Sequence, residues 1–199
     1  NTDYTVDADG NYTVKTALGL AKIANIVNGG ESLSGKAVTL VNDIDLLTAG
    51  VTGYAKDTIM TQNSWIPIGA SSATAFAGTF NGAGNKIKNL YVLVNGAPAG
   101  LFGSNIGTIQ DTELASGQIT LVVEAGNTSE YSAGMVAVNA GTVKNCINRA
   151  KVTADIQSTT DANTVYIGGI SGLNNTAVSA GNTSVIGCCN YGVISTAGN

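Results

Sequence analysis

Ala99–Asp111 reads AGLFGSNIGTIQD, and the chain returns to it twice: as AGMVAVNAGTVKN over Ala133–Asn145, and as GGISGLN from Gly168 followed, after an interruption, by SVIGCCN from Ser184. Gly100, Gly134 and Gly169 are spaced 34 and 35 residues apart, and Asn105, Asn139 and Asn174 follow in the same phase. A fixed period of this length, filled with short alternating apolar segments and no helical period, predicts stacked units that each need a neighbour to bury their core. The fold class expected is all-β, a right-handed parallel β-helix (solenoid). Within the repeat the glycines are expected at tight corners with positive φ. Asn105, Asn139 and Asn174 are expected to form an amide ladder, with Ile109, Val143 and Ile186 as an aliphatic stack behind it, each fully buried member contributing on the order of 1.5–3 kcal/mol.

Composition agrees with a turn-rich β architecture. Of 199 residues, 44% are hydrophobic and 11% charged, and 26 are glycine, which is apolar enough to fold yet poor in helix formers. The formal net charge of −4, with 9 Lys and Arg in total, leaves no basic patch to neutralise phosphates, so nucleic acid is excluded as a partner class. No apolar run reaches the roughly 20 residues needed to cross a bilayer. Neither a signal peptide nor a lipidation motif opens the sequence, and the missing initiator Met is read as processing or excision.

Three cysteines, Cys146, Cys188 and Cys189, cannot all pair within the chain. Cys146 and Cys189 are placed in one phase of the repeat, stacked inside as small apolar side chains; a Cys146–Cys188 disulfide is the alternative. Histidine is absent and no Cys-x-x-Cys spacing occurs, so neither a metal centre nor a histidine-based nucleophile is expected, and no motif calls for a cofactor.

Ahead of the repeats, residues 1–15 alternate as an extended lead-in that pairs at one edge. TALGLAKIANIVNGG then places Leu20, Ile23, Ala24 and Val27 at i, i+3, i+4 and i+7, predicting a short N-terminal capping α-helix over 16–29 with Thr16 as N-cap and Gly29 as C′. Such a helix shields the open end of the first unit. Residues 30–199 form the repeats of what is then a single domain.

KAVTLVNDIDL over Lys36–Leu46 reads as a strand with Asp43 and Asp45 on one face. These two, or Asp111 with Glu113, are the carboxylate pairs available for glycoside hydrolysis, which needs two such groups about 5–10 Å apart; an outward polar face or turn acceptor is the preferred reading of Asp43 and Asp45, since no third acidic ligand lies nearby in sequence. The sole arginine, Arg149, has no acidic cluster near it in sequence, as a lyase would require.

Four motifs in order, LVNDIDL (Leu40–Leu46), WIPIG (Trp65–Gly69), FAGTFNGAGNKIKNL (Phe76–Leu90) and GLFGSNIGTIQD (Gly100–Asp111), resemble those of bacterial surface proteins carrying GLUG motifs. The resemblance spans residues 14–194 and departs from the pattern where Asn175–Thr183 interrupts the third copy. It implies a right-handed parallel β-helix on a secreted or cell-surface protein, frequent in gut-dwelling Bacteroides-type bacteria, with adhesin-like or unassigned roles.

Two longer insertions, VVEAGNTSEY over 122–131 and DIQSTTDANTVY over 155–166, fall at matching phase and so emerge on one side, where repeat proteins commonly bind. Their Glu130, Tyr131, Asp161, Asn163 and Tyr166, together with Trp65 as a sugar-stacking aromatic, are the candidate ligand-binding residues. The expected partner is a glycan or a host or cell-surface protein; oligomeric state is not legible. The reading is a non-catalytic module, adhesin-like or glycan-binding, with a carbohydrate-active enzyme (polysaccharide lyase or glycoside hydrolase) and a passive spacer as alternatives.

Overall fold

The computed structural model describes residues 2–47, 54–56, 63–126, 129–157, 164–175 and 183–198. Among these the chain is all-β, with one α-helix, α1, at Ala17–Asn28 and a single short 3-10 turn at Ser72–Thr74. The described strands are short, two to seven residues, because most of the apolar alternations are cut by Gly, Asn or Asp.

Five sheets are parallel except at one end strand. The first orders Tyr4–Val6, Tyr12–Val14, Ala37–Leu40, Thr79–Asn81, Thr108–Gln110, Thr142–Lys144 and Ser184–Ile186; only Tyr4–Val6 is antiparallel to its neighbour. The second runs Ile44–Asp45, Lys86–Lys88, Glu113–Leu114, Ile147–Asn148, Cys189–Asn190. The third runs Leu90–Asn95, Gly117–Val123, Lys151–Ile156, Ile194–Gly198. Phe102–Asn105, Val136–Asn139 and Ser171–Asn174 make the fourth, and Glu130–Ala133 with Val165–Gly168 the fifth. From Glu113 onward the chain visits the second, third, fifth, fourth and first sheets in that order, twice over, and then returns to the second and third. A separate antiparallel pair, Tyr54–Lys56 with Asn63–Trp65, lies beside the third sheet, where the Ser64 hydroxyl accepts from the Leu93 N–H at 2.9 Å.

Register explains the core. Phe80, Ile109, Val143 and Val185 are aligned neighbours in the first sheet, and Val92, Ile119, Val152 and Ile194 in the third. All but the last member of each column are fully buried. The expected aliphatic stack is therefore corrected by one residue: Val185, not Ile186, follows Val143, while Ile186 pairs with Lys144 and is exposed. The same shift places Cys189 beside Ile147 and exposed, leaving Cys188 in the phase of Cys146. Because a strand alternates faces, a slip of one residue exchanges inside for outside. The step between partners is 34 residues from Thr108 to Thr142 and 42 from Thr142 to Ser184. The added residues lie between Asn174 and Ser184, and the sheets resume in register after them.

Helix α1 starts at Thr16, whose hydroxyl accepts from the Gly19 N–H at 3.1 Å and donates to Asp3 at 2.9 Å. At its other end Gly30 takes the left-handed conformation (φ 105°), with Gly30 N–H to Val27 O and Glu31 N–H to Ile26 O, the paired bonds of a Schellman stop. The C′ position is thus Gly30, one residue past the expected Gly29, which is right-handed (φ −76°). Leu20, Ile23, Ala24 and Val27 are fully buried in the same core as Val38 and Leu40.

The glycines of the repeat do a different job from the one expected. Gly100, Gly103 and Gly107 are not left-handed; the corner after the first sheet is turned by Asp111 (φ 51°), Asn145 (φ 52°) and Gly187 (φ 62°). Asn and Asp tolerate this region better than other side chains, and Asn145 Nδ2 donates to Asp111 Oδ1 at 3.1 Å along the column. The repeat glycines instead allow backbones to approach: a Cβ on Gly107 would strike the Gly78 carbonyl, and one on Gly141 the Gly107 carbonyl.

Ala83 occupies the left-handed region (φ 51°) beside Gly84, both of them exposed, in the Gly82–Asn85 turn closed by Asn85 N–H to Gly82 O at 2.9 Å. A side chain in that conformation costs about 1–2 kcal/mol. Ala83→Gly is expected to raise the unfolding free energy by about 0.5–1 kcal/mol, part of the gain being offset by unfolded-chain entropy. A denaturant midpoint at or below that of the parent would refute it.

Candidate functional site

Tyr131 and Tyr166 point outward from the two strands of the fifth sheet, where they are aligned partners. Their rings stack with centroids 5.2 Å apart and planes 17° from parallel. Tyr131 is half-buried and Tyr166 is 38% exposed. In-register strands bring like side chains together at strand spacing, so two tyrosines at matching phase necessarily form a column. On the Tyr131 side the column continues toward Pro98, since Ala99 is bridged to Ser132. One ring face of Tyr166 rests on Tyr131, and its strand is the outermost of the sheet.

The other candidate ligand residues separate from this pair. Trp65 is wholly inside, its Nε1 donating to Leu101 O at 3.0 Å, so it offers no ring face to a sugar. Glu130, expected in a solvated loop, is 4% exposed on the inward side of its strand together with Ser132. The strand begins earlier than its composition suggests, and alternation carries Glu130 inward as it carries Tyr131 outward. Asp161 and Asn163 lie outside the described residues.

The asparagines make a continuous amide column. Asn105 Nδ2 donates to Asn139 Oδ1 at 2.8 Å, and Asn139 Nδ2 donates to Asn174 Oδ1 at 2.8 Å. Each of the first two also closes the chain two residues on: Gly107 N–H to Asn105 Oδ1 at 3.0 Å, and Gly141 N–H to Asn139 Oδ1 at 3.2 Å. Sequence reasoning missed a second column of the same construction. Asn148 Nδ2 donates to Asn190 Oδ1 at 2.8 Å, with Ala150 N–H to Asn148 Oδ1 and Gly192 N–H to Asn190 Oδ1. The signal was present as Asn-x-small at Asn148-Arg149-Ala150 and Asn190-Tyr191-Gly192, the pattern of Asn105-Ile106-Gly107.

The carboxylates weighed for catalysis are each held by neighbours. Asp43 accepts from Lys88 Nζ and the Lys86 N–H, both at 2.9 Å, and the Lys88 hydrogen bond, before all else, holds its carboxyl below the usual range. Asp45 accepts from Asn89 Nδ2 at 2.9 Å and is likewise lowered, chiefly by that bond. Glu113 meets Arg149 at 2.9 Å and Lys86 at 3.8 Å, while the Arg149 guanidinium also covers the Tyr191 ring at 4.5 Å. Arg149 thus does have an acidic neighbour, brought from one unit earlier.

Cys146 is fully buried, and desolvation pushes its thiol up to about 12, so it is no nucleophile. Its backbone N–H donates to Cys188 Sγ at 3.4 Å, and all three cysteines are free thiols. Among the described residues no group of three His, Cys, Asp or Glu is arranged to hold a metal ion, and no helix is long and apolar enough to cross a membrane.

What these features define as a class is an all-β protein of parallel sheets with side-chain columns running across them. Neither family models, curated proteins nor solved structures contain a match to the chain.

Proposed function

We propose that the chain is a non-catalytic recognition module of a secreted or cell-surface protein, built as a right-handed parallel β-helix of the GLUG-motif type and capped at its N-terminal end by α1. The fixed order in which the chain visits its sheets supports the coil, and parallel crossovers of this kind are almost always right-handed. The helix contributes its apolar face to the core beside the earliest strands, as a cap would. The engaged carboxylates favour a scaffold over a hydrolase, since a general acid needs a raised pKa and both Asp43 and Asp45 are lowered.

The observation that carries recognition is the outward Tyr131–Tyr166 stack. Tyrosine combines an apolar ring with a hydrogen-bonding tip and loses little entropy on binding. A ring already held by its neighbour is preorganised further, and its opposite face, on which no other ring is stacked among the described residues, suits the C–H face of a pyranose. The partner is therefore a glycan, met by Tyr166 first and Tyr131 behind it.

A glycan array followed by titration of the best binder tests this. Tyr166→Ala is expected to weaken binding at least tenfold, and Tyr131→Ala by a similar factor through loss of ring support. Both should shift the unfolding temperature by no more than about 2 °C, as a surface change of about 0.5 kcal/mol does in a chain of this size. An array with no binder, or a binder indifferent to both tyrosines, would refute the assignment.

A further inference from the structure

Tyr131 and Tyr166 are directly opposite on parallel strands, and their rings lie 5.2 Å apart and 17° from parallel. A centroid distance this close to the roughly 4.8 Å strand spacing means that the two side chains leave the sheet in the same direction. The ring carbons ortho to each phenol oxygen are thereby set beside their counterparts. Rotation about Cβ–Cγ, a broad two-fold torsion in tyrosine, turns the two rings edge to edge without moving either strand.

Other tyrosines are placed differently. Tyr4 and Tyr12 have centroids 5.9 Å apart but planes tilted by 36°, on antiparallel strands where they are diagonal, not opposite, and both are partly buried against the core. Tyr91 is buried. Tyr191 is 64% exposed, and its ring is covered by the Arg149 guanidinium.

We propose that Tyr131 and Tyr166 are an oxidative modification site that closes into dityrosine. Each phenol gives up its O–H hydrogen, one proton with one electron, and the two phenoxyl radicals couple through their ortho carbons. Each of these carbons then passes its own hydrogen, as a proton, to its ring oxygen, which restores two aromatic phenols joined by a new C–C bond. The co-reactant is hydrogen peroxide acting through a haem peroxidase; it takes the two hydrogens and leaves as two waters. Tyr166, 38% exposed, is open to the oxidant, and half-buried Tyr131 is oxidised through the ring stacked on it. The product staples the strands that follow the two long insertions with a bond that thiol reductants do not open. It depends on the ring stack and on no glycan, so a blank glycan array leaves it standing, and a missing cross-link leaves the glycan reading standing.

The whole chain is kept dilute, and its accessible thiols are alkylated so that they do not quench the radicals. It is then treated with hydrogen peroxide and a catalytic amount of haem peroxidase, digested, and mapped by mass spectrometry. The expected product is a Tyr131–Tyr166 cross-linked peptide pair, lighter than its parts by the two lost hydrogens, from a chain that is still monomeric. Tyr131→Phe and Tyr166→Phe keep the stacked ring and remove the phenol, so each should lower the dityrosine yield at least tenfold. Tyr191→Phe should change it less than twofold. Oxidation of the chain unfolded in denaturant should give at least tenfold less of the 131–166 bond, because the register that pairs the rings is gone. Absence of dityrosine from the folded chain would overturn the proposal. So would cross-links that map chiefly to Tyr4–Tyr12 or between chains, form equally in denaturant, or survive both Phe substitutions.

Discussion

Replacing Asn139 with alanine is expected to lower the unfolding free energy by about 4 kcal/mol, a large share of the roughly 5–15 kcal/mol that holds a domain folded. Asn139 is fully buried and uses its whole carboxamide. Its Nδ2 donates to Asn174 Oδ1 and to Gly141 O, and its Oδ1 accepts from Asn105 Nδ2 and the Gly141 N–H, at 2.8 to 3.2 Å. Truncation strands the Asn105 N–H and the Gly141 N–H inside the protein, each at a cost of roughly 1–3 kcal/mol, while the Gly141 carbonyl keeps the Ser184 N–H at 3.0 Å. Asn174, exposed at the far side, can turn to water instead. The comparison is Asn190→Ala, where the residue is exposed, so water can replace the oxygen it gives Asn148 Nδ2 and the cost should be well below that of Asn139→Ala, about 1 kcal/mol. Asn105→Ala and Asn139→Ala together should cost less than the sum of the two, because they break one shared bond. Equal denaturation midpoints for Asn139→Ala and Asn190→Ala would show that the column carries no stability.

This column was legible in the sequence because its asparagines recur at one position of every unit, and stacking the units brings like carboxamides within reach of each other. What the sequence hid was register at the level of one residue. Val185 and Ile186 are both aliphatic, and Cys188 and Cys189 are both cysteine, so the third copy reads equally well in two phases that differ in which side faces inward. Only pairing with Thr142–Lys144 decides between them. The same ambiguity misplaced Glu130: its neighbours look like a loop, but pairing with Val165 extends the strand and turns the carboxylate inside. Trp65 misled for a different reason. A lone tryptophan carries no period, so nothing in the sequence says which way it points, and its burial follows from the Asn63–Trp65 strand covering the Leu90–Asn95 edge. The stacked tyrosines needed only matching phase, which repetition supplied.

Substituting Gly141 with alanine is expected to cost about 3 kcal/mol or slightly more, at the upper end of what an inserted methyl does in a packed interior. The reason is room, not backbone conformation. Gly141 is outside the left-handed region, and there Gly→Ala ordinarily stabilises by about 0.4–1 kcal/mol through the unfolded chain. Here the new Cβ would strike the Gly107 carbonyl. That carbonyl cannot retreat, because it accepts the Thr142 N–H at 2.8 Å, and Gly107 itself stands over Gly78, whose carbonyl accepts the Thr108 N–H at 2.9 Å. Accommodating the methyl therefore means breaking a ladder bond or separating two strands. Gly84→Ala provides the contrast: nothing lies within 4 Å, but φ is 78°, so its cost should be the left-handed penalty of about 1–2 kcal/mol. Gly141→Ala ranking above Gly84→Ala in a denaturant series is the expected order, and the reverse order would mean that backbone conformation, not close approach, selects glycine in the repeat. The outcome bears on the Asn-x-Gly unit as a whole. The asparagine closes the chain onto the glycine two residues later and reaches the next asparagine; the glycine lets the next strand come near enough for that reach to succeed.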